Sequence, residues 1–82
     1  MNKEITVTST AVYDPRSLAE LVGVANGYAS KITIAMDNRI VNAKSIMGIM
    51  GLGLDQGKVI IVDTQGSDEA DAIVAIEEFL NK

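Results

Sequence analysis

Four β-branched apolar residues follow one another at Val59-Ile60-Ile61-Val62. An uninterrupted run of this kind predicts a strand in the middle of a sheet. The run is far too short to cross a bilayer, which takes about 20 apolar residues in a helix. Because the chain has 82 residues, we expect residues 1–82 to form one small domain around this strand.

In two further segments apolar residues recur at every second position, the period that is typical of a strand. Ile5 and Val7 alternate with polar residues and predict the first strand. Residues 32–43 predict a hairpin with its turn at Asp37-Asn38, since both residue types tolerate left-handed backbone angles. These segments supply the neighbours that the apolar strand needs.

Three segments have apolar residues at the spacings of three and four that indicate a helix. The first begins at Asp14-Pro15, where Asp caps free amides and Pro loses no hydrogen bond. Ser45 precedes a short helix over residues 46–52, and Asp68 precedes the last helix. The predicted buried faces are Leu18, Leu21, Val22, Ala25 and Tyr28 in the first helix and Ala72, Ile73, Ile76, Phe79 and Leu80 in the last.

The order of elements is therefore β-α-β-β-α-β-α. Short strands and helices in this order predict an α+β fold, an open-faced β-sandwich. We expect one four-stranded antiparallel sheet that is covered by three helices on one face.

The composition excludes several kinds of site. The chain has no cysteine, which rules out disulfides and thiolate metal sites, and no histidine, the commonest metal ligand and general base. The formal net charge is −4 and the basic residues are scattered, which argues against direct binding to nucleic acid. Since the first ten residues also lack the apolar core of a signal peptide, we expect a cytoplasmic protein without metal, cofactor or membrane contact.

Acidic residues are concentrated in the predicted last helix. A cation site there would need the alternating oxygen ligands of an EF-hand loop, and the sequence does not match that pattern. The sequence instead predicts a solvated acidic face, formed by Asp68, Glu69, Asp71, Glu77 and Glu78.

The segment VNAKSIMGIM, residues 41–50, has two interpretations. On periodicity alone, Ser45 is a helix cap and the apolar residues that follow it belong to the core. However, a helix this short cannot bury apolar residues all round. Met47 and Met50 share one side, while Ile49 and Leu52 suit the sheet side, so the outer side predicts a contact patch. A phosphate on Ser45 would lie at a helix N-terminus, which favours anions.

Within this segment KSIMGIM, residues 44–50, resembles the regulatory-serine segment of the HPr family of bacterial phosphocarrier proteins, and the whole chain is similar to that family. The resemblance implies that HPr kinase/phosphorylase phosphorylates Ser45 with ATP. It also implies that Ile46, Met47 and Met50 contact this kinase and a LacI-type catabolite-control repressor. Lys44 either steadies the phosphoserine, steers the kinase or is a solvated lysine.

The same family carries a phosphate-accepting histidine in a pattern like G-[IL]-H-A-R-P-A, before the first helix. The matching residues here run from Val12 to Leu18. In this comparison Arg16 matches the family arginine, which binds the phosphoryl group and partners, and Asp14 falls on the histidine. The resemblance then implies a regulator of the histidine-free Crh type, which is neither an enzyme nor a histidine phosphocarrier.

Asp14 itself allows several alternatives. It is a plain helix cap with a loose salt bridge to Arg16, an imitation of the phosphorylated histidine, or an atypical phosphate acceptor that forms an acyl phosphate. Two further hypotheses follow for the whole chain. It competes with true HPr as an unphosphorylated binding module, or it binds enzyme I or transporter components without phosphotransfer.

Overall fold

The computed structural model describes residues 1–10 and 14–82. Along the chain the elements are β1 (Asn2–Thr6), α1 (Pro15–Asn26), β2 (Lys31–Met36), β3 (Arg39–Asn42), α2 (Ile46–Leu52), β4 (Val59–Gln65) and α3 (Glu69–Leu80). This order confirms the predicted β-α-β-β-α-β-α succession. No helix among the described residues is long and apolar enough to cross a membrane.

The four strands form one sheet in the order β1-β4-β2-β3, and every neighbouring pair is antiparallel. Strand β4 lies between β1 and β2, which confirms the prediction from its apolar run. Only alternate residues of that run are buried, however. Ile60 and Val62 face the helices, whereas Val59 and Ile61 are about half exposed on the opposite face.

The β2–β3 connection is the predicted two-residue turn. Asp37 and Asn38 have φ values of 50° and 67°, which suit a tight hairpin whose twist matches that of its strands. The turn places Arg39 and Ile40 at the start of β3. Ile40 pairs with Ala35 on the sheet and is exposed together with Val59 and Ile61.

The helices pack on one face of the sheet, as predicted. Helix α1 buries Leu18, Leu21 and Ala25, whereas Val22 is only partly buried. Tyr28 is also partly buried and follows the end of the helix, and α3 buries all five residues of its predicted face. Helix α2 has only seven residues, too few for independent stability. It is held by the burial of Ile49 and Leu52, each of which contributes about 1.5–3 kcal/mol.

Asp68 joins the start of α3 to the loop between α1 and β2. Its carboxylate accepts the backbone amides of Ala29 at 2.8 Å and Ser30 at 2.9 Å, and it also accepts the Ser30 hydroxyl. Gly66 lies against the same serine, because a Cβ there would approach the Ser30 Cα to 2.8 Å. These contacts tie the last helix to the middle of the chain.

The prediction of a solvated acidic face needs correction at three positions. Asp68 has the three donors described above, Glu69 accepts the Gly66 amide at 3.3 Å, and Glu77 pairs with Lys3 at 2.8 Å. Asp71 and Glu78 are exposed. The sequence could not show these partners because they come from distant or backbone groups.

Protonation of Asp68 in acid should lower the free energy of unfolding. The Ser30 hydroxyl, and after it the Ala29 amide, hold the pKa of this carboxyl below its ordinary value of 3.8. A carboxyl whose pKa is lowered by folding stabilises the protein above its unfolded pKa, and this stability is lost as the pH falls through the folded pKa. We therefore expect Asp68→Asn to lower the urea midpoint at neutral pH and to reduce its decline below about pH 4.

The matched control is Asp71→Asn, which changes an exposed carboxylate in the first turn of the same helix. It should leave the acid-dependent part of the urea midpoint intact. If the two variants show the same pH profile, Asp68 is not the group that links the fold to pH.

Candidate functional site

Ser45 is the N-cap of α2, as predicted. Its backbone is extended, and its hydroxyl oxygen accepts the Gly48 amide at 3.3 Å. Its own amide donates to the Asn42 carbonyl at 3.0 Å. The residue is half-buried, so its backbone is held by the fold while its hydroxyl lies close to the surface.

The loop before Ser45 is bonded to the sheet. The Asn42 side chain accepts the Lys44 amide at 2.9 Å, and the amide of the buried Ala43 donates to the Ile32 carbonyl at 2.9 Å. These bonds set the direction in which the chain enters α2.

The C-terminal end of α1 is hydrogen-bonded to the same loop. The Asn26 side chain donates to the Lys44 carbonyl at 3.2 Å, and the Lys44 ammonium donates to the Tyr28 carbonyl at 2.7 Å. The Lys44 ammonium is therefore held by a backbone carbonyl and is not a freely solvated group. The sequence does not reveal the roles of Asn26 and Tyr28, because contacts with backbone carbonyls leave no signal in it.

An apolar surface follows Ser45 along α2. Ile46, Met47 and Met50 are 38%, 82% and 51% exposed, and we call these three residues the α2 patch. Ile49 and Leu52 are buried on the opposite side. The interpretation of every apolar residue here as core is thus wrong, and the predicted division between an outer and an inner side is confirmed.

Arg39 fixes the far end of α2. Its guanidinium donates to the Gly51 carbonyl at 2.8 Å, which places a cation at the negative end of a helix that has no basic residue in its own last turn. The chain then leaves the helix through Gly53 with φ 80°, the left-handed conformation favoured at this position. The sequence does not reveal this role of Arg39, because the contact joins a strand to a helix.

Asp14 is the N-cap of α1, as its sequence predicts. Its carboxylate accepts the Arg16 backbone amide at 2.9 Å. The expected salt bridge between Asp14 and Arg16 is absent, since no ion pair within residues 1–10 and 14–82 involves either residue. Val12 and Tyr13, the first residues of the segment that resembles the histidine motif, lie outside the described residues.

The predicted site residues lie near both ends of α1. The Lys44 carbonyl accepts the side chain of Asn26, the last residue of α1, and Ser45 and the α2 patch follow Lys44 along the chain. Asp14 and Arg16 stand at the N-terminal end of α1. Arg16 and Asn26 are ten positions apart, about 15 Å along the helix axis.

A metal centre is not evident in the part of the chain that the structure describes. No group of three or more Asp or Glu side chains there is arranged to hold a metal ion. Among those residues, Asp14 therefore belongs to no acidic cluster that could hold a metal ion.

Removing the Asp14 cap should destabilise α1. Asp14→Ala deletes the acceptor for the Arg16 amide, and loss of such a cap costs about 1 kcal/mol. Asp14→Ser keeps a capping oxygen and should recover most of that loss. Urea unfolding of both variants measures the difference, and equal stabilities for Asp14→Ala and the unchanged chain would contradict a capping role.

Comparison with known proteins assigns the chain to a family. A family model described as "PTS HPr component phosphorylation site" matches residues 1–82. The HPr-like protein Crh of Halalkalibacterium halodurans is 38% identical over 82 residues, which cover 100% of this chain and 98% of that protein. Phosphocarrier protein HPr of Xylella fastidiosa is 41% identical over 78 residues, which cover 95% and 88%.

Solved structures agree with this assignment. The crystal structure of phosphocarrier protein HPr from Bacillus anthracis superposes with a TM-score of 0.93 at 36% identity, over 98% of this chain and 95% of that one. The solution structure of Crh from Bacillus subtilis has a TM-score of 0.72 at 30% identity, over 100% and 98%. The chain therefore belongs to the HPr family.

Proposed function

We propose that this chain is a regulatory HPr-like protein of carbon catabolite repression, a substrate and co-effector with no catalysis of its own. Two observations support the proposal. Its relatives include proteins named HPr and Crh, and its sequence lacks any histidine, the residue through which a phosphocarrier of this family relays phosphate. The function would be exercised in the cytoplasm.

The observation that carries the proposal is the position of Ser45 beside the α2 patch. In the proposed reaction the Ser45 oxygen attacks the γ-phosphorus of ATP, its proton passes to a base of HPr kinase/phosphorylase, and ADP leaves. Among residues 1–10 and 14–82, the hydroxyl has one hydrogen bond, a long one in which it accepts the Gly48 amide at 3.3 Å. Little stability is therefore lost when the hydroxyl enters the active site of the kinase. The bonds to Asn42 and Asn26 keep the surrounding loop in place during this step.

The phosphoserine would be recognised together with the apolar surface next to it. It adds about two negative charges and three acceptor oxygens, while Met47 and Met50 supply adaptable apolar contacts. We infer that a LacI-type catabolite-control repressor binds both features at once. Arg16, in the first turn of α1, would contact the same partner.

Asp14 takes the position of the family's phosphohistidine in this proposal and does not accept phosphate. One of its carboxylate oxygens already accepts the Arg16 amide as a helix cap. Contacts with enzyme I or transporter components would then occur without phosphotransfer. One alternative to this function is a phosphocarrier that accepts phosphate on Asp14. The other is a binding module that competes with HPr for its partners while it is unphosphorylated.

Phosphorylation should depend on Ser45. Incubation with ATP and HPr kinase/phosphorylase should raise the mass by one phosphate, about 80 Da, and Ser45→Ala should abolish the increase. Ser67→Ala is the matched control, because it removes an exposed serine hydroxyl elsewhere and should change nothing. An unchanged mass, or phosphate that persists in Ser45→Ala, would overturn the proposed site.

Repressor binding should depend on the α2 patch. Met47→Ala together with Met50→Ala should weaken the affinity of the phosphorylated chain for the repressor at least fivefold, because truncating contacts at the centre of an interface costs more than about 1 kcal/mol. Val74→Ala, which shortens a half-exposed apolar residue on α3, should stay within about twofold. Surface plasmon resonance with immobilised repressor gives both values, and tight binding of the unphosphorylated chain would favour the competing-module hypothesis.

A further inference from the structure

A groove lies between the C-terminal halves of α1 and α3, and neither Ser45 nor the α2 patch lines it. It has a volume of about 730 Å³, within the range of ligand sites in proteins. Helix α1 contributes Gly23 and Val24, Tyr28 follows the end of α1, and α3 contributes Ala75, Glu78 and Phe79. A side chain at Gly23 would meet no atom within 4 Å, so the groove is open at that point.

A cation already occupies part of this groove. The Lys82 ammonium lies 4.6 Å from the centre of the Phe79 ring, within the distance of about 6 Å at which a ring face attracts a positive charge. Lys82 is exposed and Phe79 is almost fully buried. The core therefore holds the Phe79 ring in place, and the exposed lysine is the group that another cation can displace.

The charges around the groove also favour a cation. Glu78 is exposed at its edge, and α3 ends at Leu80 without a basic residue in its last turn. The carbonyl end of a helix carries a partial negative charge. The whole chain has a net charge of −4, which attracts a basic partner at longer range.

We propose that this groove docks a basic segment of a partner protein, one that presents an arginine beside apolar side chains. The arginine displaces Lys82 from the Phe79 ring and pairs with the Glu78 carboxylate, and its apolar neighbours cover Val24 and Ala75. Arginine suits this role because its planar guanidinium is weakly hydrated and stacks on aromatic rings better than an ammonium does. The proposal does not depend on phosphorylation at Ser45.

Titration of the full chain with a short peptide tests this docking site. The probe is the acetylated and amidated hexapeptide Leu-Arg-Leu-Ala-Arg-Leu, followed by amide chemical shifts in two-dimensional NMR. The largest shifts should fall on residues 23–28 and 75–82. A peptide with citrulline in place of arginine keeps the shape without the charge and should bind at least about fivefold more weakly.

Variants at the edge of the groove sharpen the test. Glu78→Gln should raise the dissociation constant about two- to fivefold, and Lys82→Ala should lower it by a similar factor, because the competing ammonium is gone. Asp71→Asn removes the same charge from the first turn of α3 and should have an effect below about 1.5-fold at physiological salt. Phe79→Leu should weaken binding about two- to fivefold, and the exposed variants remain informative if it does not fold.

Four results would overturn the proposal. The first is that the largest chemical shift changes fall on the α2 patch or on the sheet face opposite the helices. The second is equal affinity for the arginine and citrulline peptides, and the third is equal effects of Glu78→Gln and Asp71→Asn on the dissociation constant. The fourth is concentration-dependent self-association of the chain that covers the groove. The last would show that a second copy of the chain, rather than a basic segment, is the occupant.

Discussion

Burial of one face of the β1-β4-β2-β3 sheet is the constraint on which the other features depend. Ile60 and Val62 of the central strand β4 face the helices, and α1 and α3 supply long apolar faces that cover them. The seven-residue α2 completes the layer. So short a helix contributes only Ile49 and Leu52 to the core. Its C-terminal end is also held by the hydrogen bond from Arg39, and the loop that enters it is bonded to the sheet and to Asn26 of α1.

This arrangement explains why a candidate site lies at α2. A short helix on the rim of the layer has one side in the core and the other in solvent, which leaves Met47 and Met50 exposed. The loop that enters it is bonded to the end of α1 through Asn26 and to the Tyr28 carbonyl through Lys44. A modified Ser45 would therefore alter the surface of a well-anchored helix, with no need for a large rearrangement.

Local patterns predicted most of the fold. Asp14 and Ser45 are caps, Asp37-Asn38 is a turn and β4 is central, because each of these depends on residues adjacent in sequence or on simple periodicity. The contacts that were missed join distant segments. Asp68 with Ser30 and Arg39 with Gly51 depend on which surfaces the fold brings together, and no spacing in the sequence reports that. The ion pair expected between Asp14 and Arg16 is absent, and the Asp14 carboxylate accepts the Arg16 backbone amide.

The chemistry of the phosphorylated group tests the central claim most directly. One sample of the chain is treated with ATP and HPr kinase/phosphorylase, another with phosphoenolpyruvate and enzyme I, and the bound phosphate is then challenged with hydroxylamine. We expect phosphate only in the first sample, as a serine ester that resists hydroxylamine and maps to Ser45. Phosphate in the second sample that hydroxylamine releases would identify an acyl phosphate at a carboxylate such as Asp14 and would overturn the proposed role of Ser45.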